Sequence, residues 1–214
     1  MIRLEIYQET AHFRIPTIGN LYLTYPLPPP STVYGFLRFI TDYESINPEN
    51  TRLSIQGSFK GVSFEKEQLL LETKKEIKTN IIPIQKLHQC KWIIHIKSPL
   101  FEEKIIEALR NSSKILRLGR KEDLIIDISI KTGLEELDFN RWKFDEYDKK
   151  LKIYKKWRQN EDSEGSLFKM ALDTKVDDNK EIVGYIPVNL IYISTRKLSK
   201  SAKVFDGRYL IEWI

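Results

Sequence analysis

A run of prolines near the N-terminus constrains the fold of this chain more than any other feature of its sequence. Four of the five residues 26–30 are prolines, and the last three are consecutive. Each proline fixes φ and disfavours the helical conformation in the residue before it, so the backbone stays extended to the end of the run. Ser31 or Thr32 then serves as the N-cap of a helix. Apolar residues at helical spacing predict its buried face: Val33, Phe36, Leu37 and Ile40.

One residue inside this predicted helix is unfavourable for it. Gly35 lowers helix stability by about 1 kcal/mol relative to alanine. We therefore expect another part of the chain to pack closely against Gly35, at a point where a side chain would not fit.

The clearest strand of the sequence is residues 91–97. Trp92, Ile94 and Ile96 lie on one face of this strand, because side chains alternate along an extended backbone. His95 lies on the other, polar face, and we expect it to pack against a neighbouring strand.

The other elements of the N-terminal half are predicted around this strand. Ser98 and Pro99 are typical of a helix start, as cap and first-turn proline. Further strands are predicted at residues 2–8, at 52–64 with an interruption at Gly57, and at 124–130. In the last of these, Leu124, Ile126, Ile128 and Ile130 face inward. Two lysine-rich segments, 67–78 and 80–87, predict a projecting hairpin. The succession is the βαββαβ pattern of ferredoxin-like α+β folds with an insertion.

The C-terminal part of the chain has a different pattern. Residues 133–160 are dense in charges and aromatic rings, which is typical of a connection, and residues 166–214 are β-rich with the clearest strands at 182–193 and 208–213. We therefore predict a ferredoxin-like domain over 1–132, with an inserted hairpin at 67–88, and a smaller β-rich region over 133–214.

Composition limits the compartment and the kind of partner. Lys and Arg exceed Asp and Glu by 35 to 30, a net charge of +5 that mildly favours a polyanionic partner. Cys90 is the single cysteine, which excludes an internal disulfide and a cysteine-based zinc site. The sequence contains neither a signal-peptide pattern nor an apolar run long enough for a membrane span. We expect a cytoplasmic protein without a membrane anchor.

The sequence contains no recognisable catalytic or cofactor-binding motif, such as a phosphate-binding P-loop, a dinucleotide fingerprint or a zinc-protease motif. His88, Cys90 and His95 do not share one strand face, and a fourth ligand is missing, so we predict no metal and no cofactor. His12 could act as a base in metal-free RNA cleavage. We favour a surface or stacking role for His12 and predict no catalytic residue.

Residues 114–121 form the most suggestive electrostatic feature. Four cations flank Gly119, and a glycine lets a backbone approach phosphates closely. The same pattern also fits a basic helix end closed by a glycine cap, and the two interpretations are equally supported. A second mixed segment, residues 149–158, interleaves cations with aromatic rings. We favour a solvated connector there, because acidic residues precede it.

Three segments resemble one family. Residues 13–16 (FRIP) and 23–35 (LTYPLPPPSTVYG) resemble the N-terminal motif of the CRISPR-associated Cas-five proteins of the RAMP superfamily. Residues 116–123 (LRLGRKED) are similar to that family's LGR-x-ED segment, and we call them the glycine loop. The PPPST form of the first block looks closest to type I-B members.

The resemblance implies a fold and a function. It implies a ferredoxin-like RAMP domain with a hairpin thumb, in a non-catalytic subunit that holds the 5′ handle of the CRISPR RNA within the Cascade complex of antiviral defence. Such subunits contact the backbone subunit and the large subunit, and they meet target DNA only through the complex. The RNA-binding residues expected on this basis are Arg14, Tyr25, Ser31, Thr32, Lys114, Arg117, Gly119, Arg120 and Lys121.

One branch of the family has a different activity. In subtype I-C these proteins cleave the precursor CRISPR RNA, so a metal-independent endoribonuclease is the alternative function. The Lys-His adjacency expected of that branch is missing, because His88 follows Leu87 and His95 follows Ile94.

Overall fold

The computed structural model describes residues 1–16, 21–72, 77–138, 151–159, 164–177, 181–198 and 204–214. The helices are α1 (Pro30–Ile40), α2 (Glu102–Arg110) and α3 (Thr195–Leu198). The strands are β1 (Ile2–Ala11), β2 (Arg52–Ser58), β3 (Gly61–Glu72), β4 (Ile77–Lys97), β5 (Asp127–Lys131), β6 (Leu137–Asp138), β7 (Lys152–Lys156), β8 (Ser166–Val176), β9 (Ile182–Ser194), β10 (Val204–Phe205) and β11 (Leu210–Ile211).

The described strands form one large and one small sheet. The large sheet has the order β5-β1-β4-β2-β7-β9-β8, with β3 paired to β4 outside this path. All pairings of its strands are antiparallel. The small sheet has the order β11-β10-β6. The protein is therefore a mixed α+β structure with an antiparallel sheet and few helices.

The N-cap of helix α1 lies two residues before Ser31, the earlier of the two N-caps that the sequence predicts. Pro30 occupies its first turn and Pro29 is the N-cap, without a side-chain cap hydrogen bond. The prediction of Ser31 or Thr32 as N-cap is wrong, because the fixed φ of Pro30 already suits the first helical position. The predicted buried face is confirmed, and all four of its residues are buried: Val33, Phe36, Leu37 and Ile40.

Two glycines show where the backbone approaches another group closely. A Cβ on Gly35 would meet no heavy atom within 4 Å, so the expectation of close packing there is wrong. The close approach occurs at Gly57 in β2 instead. A Cβ on Gly57 would lie 2.4 Å from the carbonyl oxygen of Lys91 and 2.5 Å from the Trp92 ring. This glycine lets β2 lie directly against the largest side chain of the core.

Strand β4 joins two segments that the sequence separates. Residues 80–87 and 91–97 belong to one strand of 21 residues, which pairs with β3 in its first part and with β1 and β2 in its second. Gln89 lies between the two parts with a left-handed φ of 49°. The hairpin starts at Gly61, earlier than predicted, because β2 ends at Ser58.

Helix α2 and strand β5 also begin later than predicted. Ser98 does not cap α2 directly. Its carbonyl accepts hydrogen bonds from the N–H groups of Phe101 and Glu102 in a preceding turn, and the helix starts at Glu102. Strand β5 starts at Asp127, and Ile126 is exposed rather than inward-facing.

The C-terminal region covers the second face of the sheet. Ile93 of β4 packs with Leu151, Ile153, Ile191 and other residues in a core cluster separate from that of Trp92. The middle of the β4 face that the sequence marks as polar, at Ile93 and His95, is therefore buried, whereas Lys91 and Lys97 towards its ends are exposed. Strand β7 pairs with β2, so the sheet continues across the predicted boundary at residue 132, and that division stays a prediction.

No helix in the described part of the chain has the length and apolar character needed to cross a membrane.

Candidate nucleic-acid-binding site

Gln8 of β1 holds the glycine loop, residues 116–123, through hydrogen bonds to its main chain. The Gln8 side-chain amide donates hydrogen bonds to the carbonyl oxygens of Leu118 at 3.0 Å and Asp123 at 2.8 Å. Its own oxygen accepts a hydrogen bond from the Trp92 indole at 2.8 Å. A buried amide thereby has its donors and its acceptor satisfied. This chain of contacts links the loop to the centre of the sheet.

Gly119 gives the loop a conformation that other residues rarely adopt. Its φ is +112°, and a Cβ there would lie 2.9 Å from a carboxylate oxygen of Asp123. The same Cβ would lie 3.3 Å from the Phe13 ring and 3.4 Å from the His12 carbonyl oxygen. The glycine is thus required both by the turn and by the close approach of the end of β1.

Asp123 is the residue around which the loop is organised. Its side chain is fully buried, and one carboxylate oxygen accepts hydrogen bonds from the main-chain N–H of His12 at 3.2 Å and of Arg120 at 2.9 Å. The glycine loop is therefore in direct contact with His12, the residue just before the first segment of the family resemblance. Sequence reasoning quoted Asp123 within the motif but gave it no role.

Arg120 is held by acidic side chains of the protein itself. Its guanidinium lies 2.9 Å from Glu67 of β3, 3.1 Å from Glu122 and 3.3 Å from Asp123. Lys86 of β4 lies 2.7 Å from the same Glu67. These ion pairs connect the glycine loop with the β3–β4 hairpin, and they offset much of the Arg120 charge.

Arg117 and Lys121 are the loop cations that point into solvent. Both are exposed, and neither forms an ion pair with another residue of the described ranges. The Arg117 guanidinium lies 5.6 Å from the centre of the Phe39 ring, close enough for a cation–π contact. These two side chains can meet an anionic partner without breaking an internal pair.

Lys114 belongs to a different part of the structure. Its ammonium donates to the Phe39 carbonyl oxygen at 2.7 Å and pairs with Asp42 at 2.6 Å, at the C-terminal end of α1. Gly119 does not close α2, because that helix ends at Arg110 with Asn111 as C-cap. The interpretation of residues 114–121 as a capped helix end is wrong.

The N-terminal candidates differ in accessibility. Arg14 is exposed and lies over the Tyr22 ring at 3.6 Å. Tyr25 is buried, and its hydroxyl donates to the Lys169 carbonyl oxygen at 3.1 Å. Ser31 and Thr32 are half-buried in the first turn of α1. Of these four residues, Arg14 is the one that presents its side chain to solvent.

His12 is a buried residue. Its side chain is 2% exposed, and its Nδ1–H donates to the Gln85 carbonyl oxygen at 2.7 Å. Burial lowers the pKa of His12, against the opposing effect of that carbonyl. Its Nε2 has no hydrogen-bond partner among the described residues. The expectation of a surface or stacking role for His12 is wrong, because the glycine loop and β4 cover it.

The residues considered for a metal site have separate partners. His88 shares a hydrogen bond of 2.7 Å with the Ser63 hydroxyl, and His95 lies 2.9 Å from Asp206. Cys90 is buried, and burial raises the pKa of its thiol to about 12. Within the described ranges, no group of three or more metal-ligating side chains converges on one point.

The comparisons with known proteins identify the fold. The sequence matches no protein-family model and no curated protein. The structure is similar to a chain of "CRISPR RNA-guided surveillance complex", with a TM-score of 0.57, 9% identity and coverage of 91% of each chain. It is also similar to "Crystal structure of Cas protein", with a TM-score of 0.52, 14% identity and coverage of 92% of this chain and 96% of that one.

A third similarity is weaker. A chain of the type III-B Cmr-beta complex bound to cognate target RNA aligns with a TM-score of 0.48 and 12% identity, over 92% of this chain and 87% of that one. The first two similarities show that the α+β fold of this chain is one that Cas proteins also have.

Proposed function

We propose that this chain is an RNA-binding subunit of a CRISPR effector complex, in which it holds the 5′ handle of the CRISPR RNA. The similarity to a chain of an RNA-guided surveillance complex supports the general assignment. The order β1-α1-β2-β4-α2-β5, with the β3–β4 hairpin inserted, supports a ferredoxin-like RAMP domain. The proline-rich motif supports the type I-B Cascade class, with the backbone and large subunits as neighbours.

The observation that carries this proposal is the contact between the glycine loop and the end of β1. A buried carboxylate, Asp123, fixes the loop around Gly119, and Gly119 itself is exposed. Arg117 and Lys121 extend from this fixed backbone into solvent. Such an arrangement binds phosphate groups with little loss of conformational entropy, because the loop is already ordered.

The remaining candidates take different roles in this proposal. Arg14, stacked on Tyr22, offers a planar cation on which a base can stack. Arg120 acts as a positioning residue that ties the loop to the hairpin. Tyr25 and Lys114 support the fold on which the site stands. Ser31 and Thr32 stay expected handle contacts, at the N-terminal end of α1.

We further propose that the chain holds RNA without cleaving it. Metal-free cleavage needs a base that reaches the 2′-hydroxyl and an acid that reaches the leaving oxygen. His12 is 2% exposed, its main chain lies against the glycine loop, and its Nδ1 is bonded to a carbonyl of β4. Incubation of the purified chain with labelled repeat RNA in EDTA tests this. Site-specific cleavage that is lost in His12→Ala would overturn the non-catalytic proposal.

Binding of handle RNA tests the proposed site. The double variant Arg117→Ala and Lys121→Ala should bind labelled handle RNA more weakly. The slope of the logarithm of its binding constant against the logarithm of the salt concentration should be shallower by about 1.4. Each phosphate contact to a single strand contributes about 0.7 to this slope. Lys131→Ala, an exposed cation of β5, is the matched control and should leave the slope unchanged.

The comparison includes a scrambled RNA and the assembled complex, because a subunit can need its neighbours to bind. An unchanged slope in the double variant would overturn the loop as the binding site. Equal affinity for handle and scrambled RNA in the complex would overturn handle recognition.

A further inference from the structure

We propose that the chain has a second surface for single-stranded nucleic acid, on the open face of the sheet formed by β7, β9 and β8. On this surface Trp157 and Tyr185 stack with bases and Lys169 contacts phosphate. The surface is built from the C-terminal part of the chain and does not include the glycine loop. It is a function additional to holding the RNA handle.

The register of the strands places these side chains together. Lys156 pairs with Leu190, and the N–H of Trp157 donates to the Asn189 carbonyl oxygen at 3.0 Å, so the pairing continues past the end of β7. Asn189 in turn pairs with Lys169. Since paired residues share a face of a sheet, Trp157, Asn189 and Lys169 form one row across three strands.

Tyr185 lies further along the same face. It is four residues from Asn189 on β9, and alternation along a strand returns to the same face at every second residue. It pairs with Thr174 of β8. The offset along β9 is about 13 Å, because each strand residue rises about 3.3 Å. The two aromatic rings are therefore too far apart to stack with each other, and they can hold two bases that are not adjacent in the strand.

The two faces of this part of the sheet differ in their surroundings. On the side of α1, Tyr154, Leu190 and Met170 belong to the main core. On the opposite side the C-terminal cluster covers Ile153 and Ile191. Further along this face Asn189, Pro187 and Tyr185 are exposed.

The side chains past the edge of this cover are exposed. Trp157 is 41% exposed, Leu167 56% and Tyr185 61%. Large apolar side chains scattered singly on a surface are ordinary. These three lie on one face of the sheet, together with Lys169.

The charge of this surface favours an anionic partner. Lys169 is exposed, and it has no ion-pair partner within the described part of the chain. The other residues of the row and its continuation are uncharged: Asn189, Pro187 and Thr174. The neighbouring carboxylate of β8, Asp173, is buried on the other side against Arg38, at 2.8 Å. The surface thus combines aromatic rings with positive charge and without an exposed carboxylate among these residues.

This combination fits single-stranded nucleic acid better than a protein partner. Flat sheet faces with aromatic rings bind splayed bases by stacking, and nearby cations follow the backbone. Duplex RNA presents its bases edge-on within grooves, which a flat sheet cannot enter. An apolar protein surface would gain from Leu167 but not from Lys169.

The test uses the full chain and a fluorescein-labelled 12-nucleotide oligouridylate. The double variant Trp157→Ala and Tyr185→Ala should lose about 25-fold or more in affinity, since each stacked base contributes about fivefold or more. Trp157→Phe should keep most of the affinity because it keeps a stacking ring. Leu100→Ala, which removes an exposed apolar side chain elsewhere, is the control and should bind as the wild type does.

Circular dichroism establishes that each variant is folded, and the side chains changed are exposed ones. Wild-type affinity in the folded double variant would overturn the proposal. If that variant binds RNA normally but no longer assembles with the other subunits of the complex, the surface is a protein-docking face, and the proposal also falls.

The glycine-loop variant separates this inference from the proposed function. Arg117→Ala with Lys121→Ala is titrated with both the oligouridylate and handle RNA. If Arg117→Ala with Lys121→Ala loses RNA affinity while Trp157→Ala with Tyr185→Ala binds as the wild type does, the second surface is overturned and the handle site is supported. Loss of oligouridylate binding in the sheet variant, with normal handle binding in the loop variant, supports the second surface and overturns the handle site.

Discussion

The main-chain N–H of His12 donates to the Asp123 carboxylate at 3.2 Å, between residues 111 positions apart in the chain. This hydrogen bond joins the end of β1 to the glycine loop. The same carboxylate oxygen accepts from the Arg120 N–H, so its charge is shared between two backbone donors and a guanidinium. A buried carboxylate with such partners fixes the loop before any ligand arrives.

Asp123→Ala should destabilise the protein by about 2–3 kcal/mol, because it leaves buried N–H groups without an acceptor. Urea denaturation measures this difference. Asp127→Ala, which removes an exposed carboxylate four residues away, is the control and should change stability by less than about 0.5 kcal/mol. Equal effects of the two substitutions would contradict the organising role of Asp123.

Gly119→Ala should cost more than Gly133→Ala, although both glycines have positive φ. The φ of Gly133 is +67° and a Cβ there meets nothing within 4 Å, so its substitution should cost only the backbone strain, about 1 kcal/mol. At Gly119 the added methyl also displaces Asp123, and a total of about 2–4 kcal/mol is expected. Thermal unfolding distinguishes the two. Similar melting temperatures would show that the loop yields to the methyl group without cost.

A double-mutant cycle of Arg120→Gln and Glu67→Gln should give a coupling free energy of about 0.5–1 kcal/mol. The pair is separated by 2.9 Å, and each side chain is about a fifth exposed, so solvent screening keeps the value small. Amide exchange in the first part of β4 should become faster in Arg120→Gln, since the ion pair ties the hairpin to the loop. A coupling of zero would mean that the hairpin and the loop are energetically independent.

Gly35→Ala should stabilise the protein by about 0.5–1 kcal/mol. The glycine is in a helix, and the space for a methyl group is open. Gly57→Ala provides the opposite case and should destabilise by about 2 kcal/mol or more, because the methyl would overlap Lys91 and Trp92. Chemical denaturation of both variants measures the signs. Destabilisation by Gly35→Ala would contradict the open space around Gly35.

Stability should fall as pH decreases from about 7 to 5. Burial lowers the pKa of His12 and His95 below the ordinary value near 6.5. The unfolded chain therefore takes up protons near pH 6.5 that the folded chain does not, and the folded state loses stability below that pH. His12→Gln should show a smaller decline than the wild type. An identical decline in the two proteins would contradict the role of His12.

Local sequence rules predicted the elements that depend on neighbouring residues. The proline run, the buried face of α1 and the apolar face of β4 each follow from short-range spacing, and each is present. The rules failed where distant residues decide the outcome. Gly35 looked like a packing glycine, but the close approach is made at Gly57 by Trp92, which lies 35 positions further along.

The candidate site shows the same limit. The glycine loop was identified from its cations, but the sequence could not show which of them are paired internally. Arg120 is neutralised by Glu67, a residue of the hairpin, and Lys114 is bound to the end of α1. His95 was assigned to a polar surface, because nothing local indicates that residues beyond 150 cover that face.

Strand β4 has a mechanical consequence. Its 21 residues form one continuous strand that runs from the hairpin to the middle of the sheet. Gln89, with its left-handed φ, separates the part that pairs with β3 from the part that pairs with β2. A force on the hairpin tip is carried by the backbone to the rows that pair with β1 and β2. The hairpin of a relative cannot replace this hairpin unless the replacement also preserves the backbone conformation of Gln89 and the strand register that follows it.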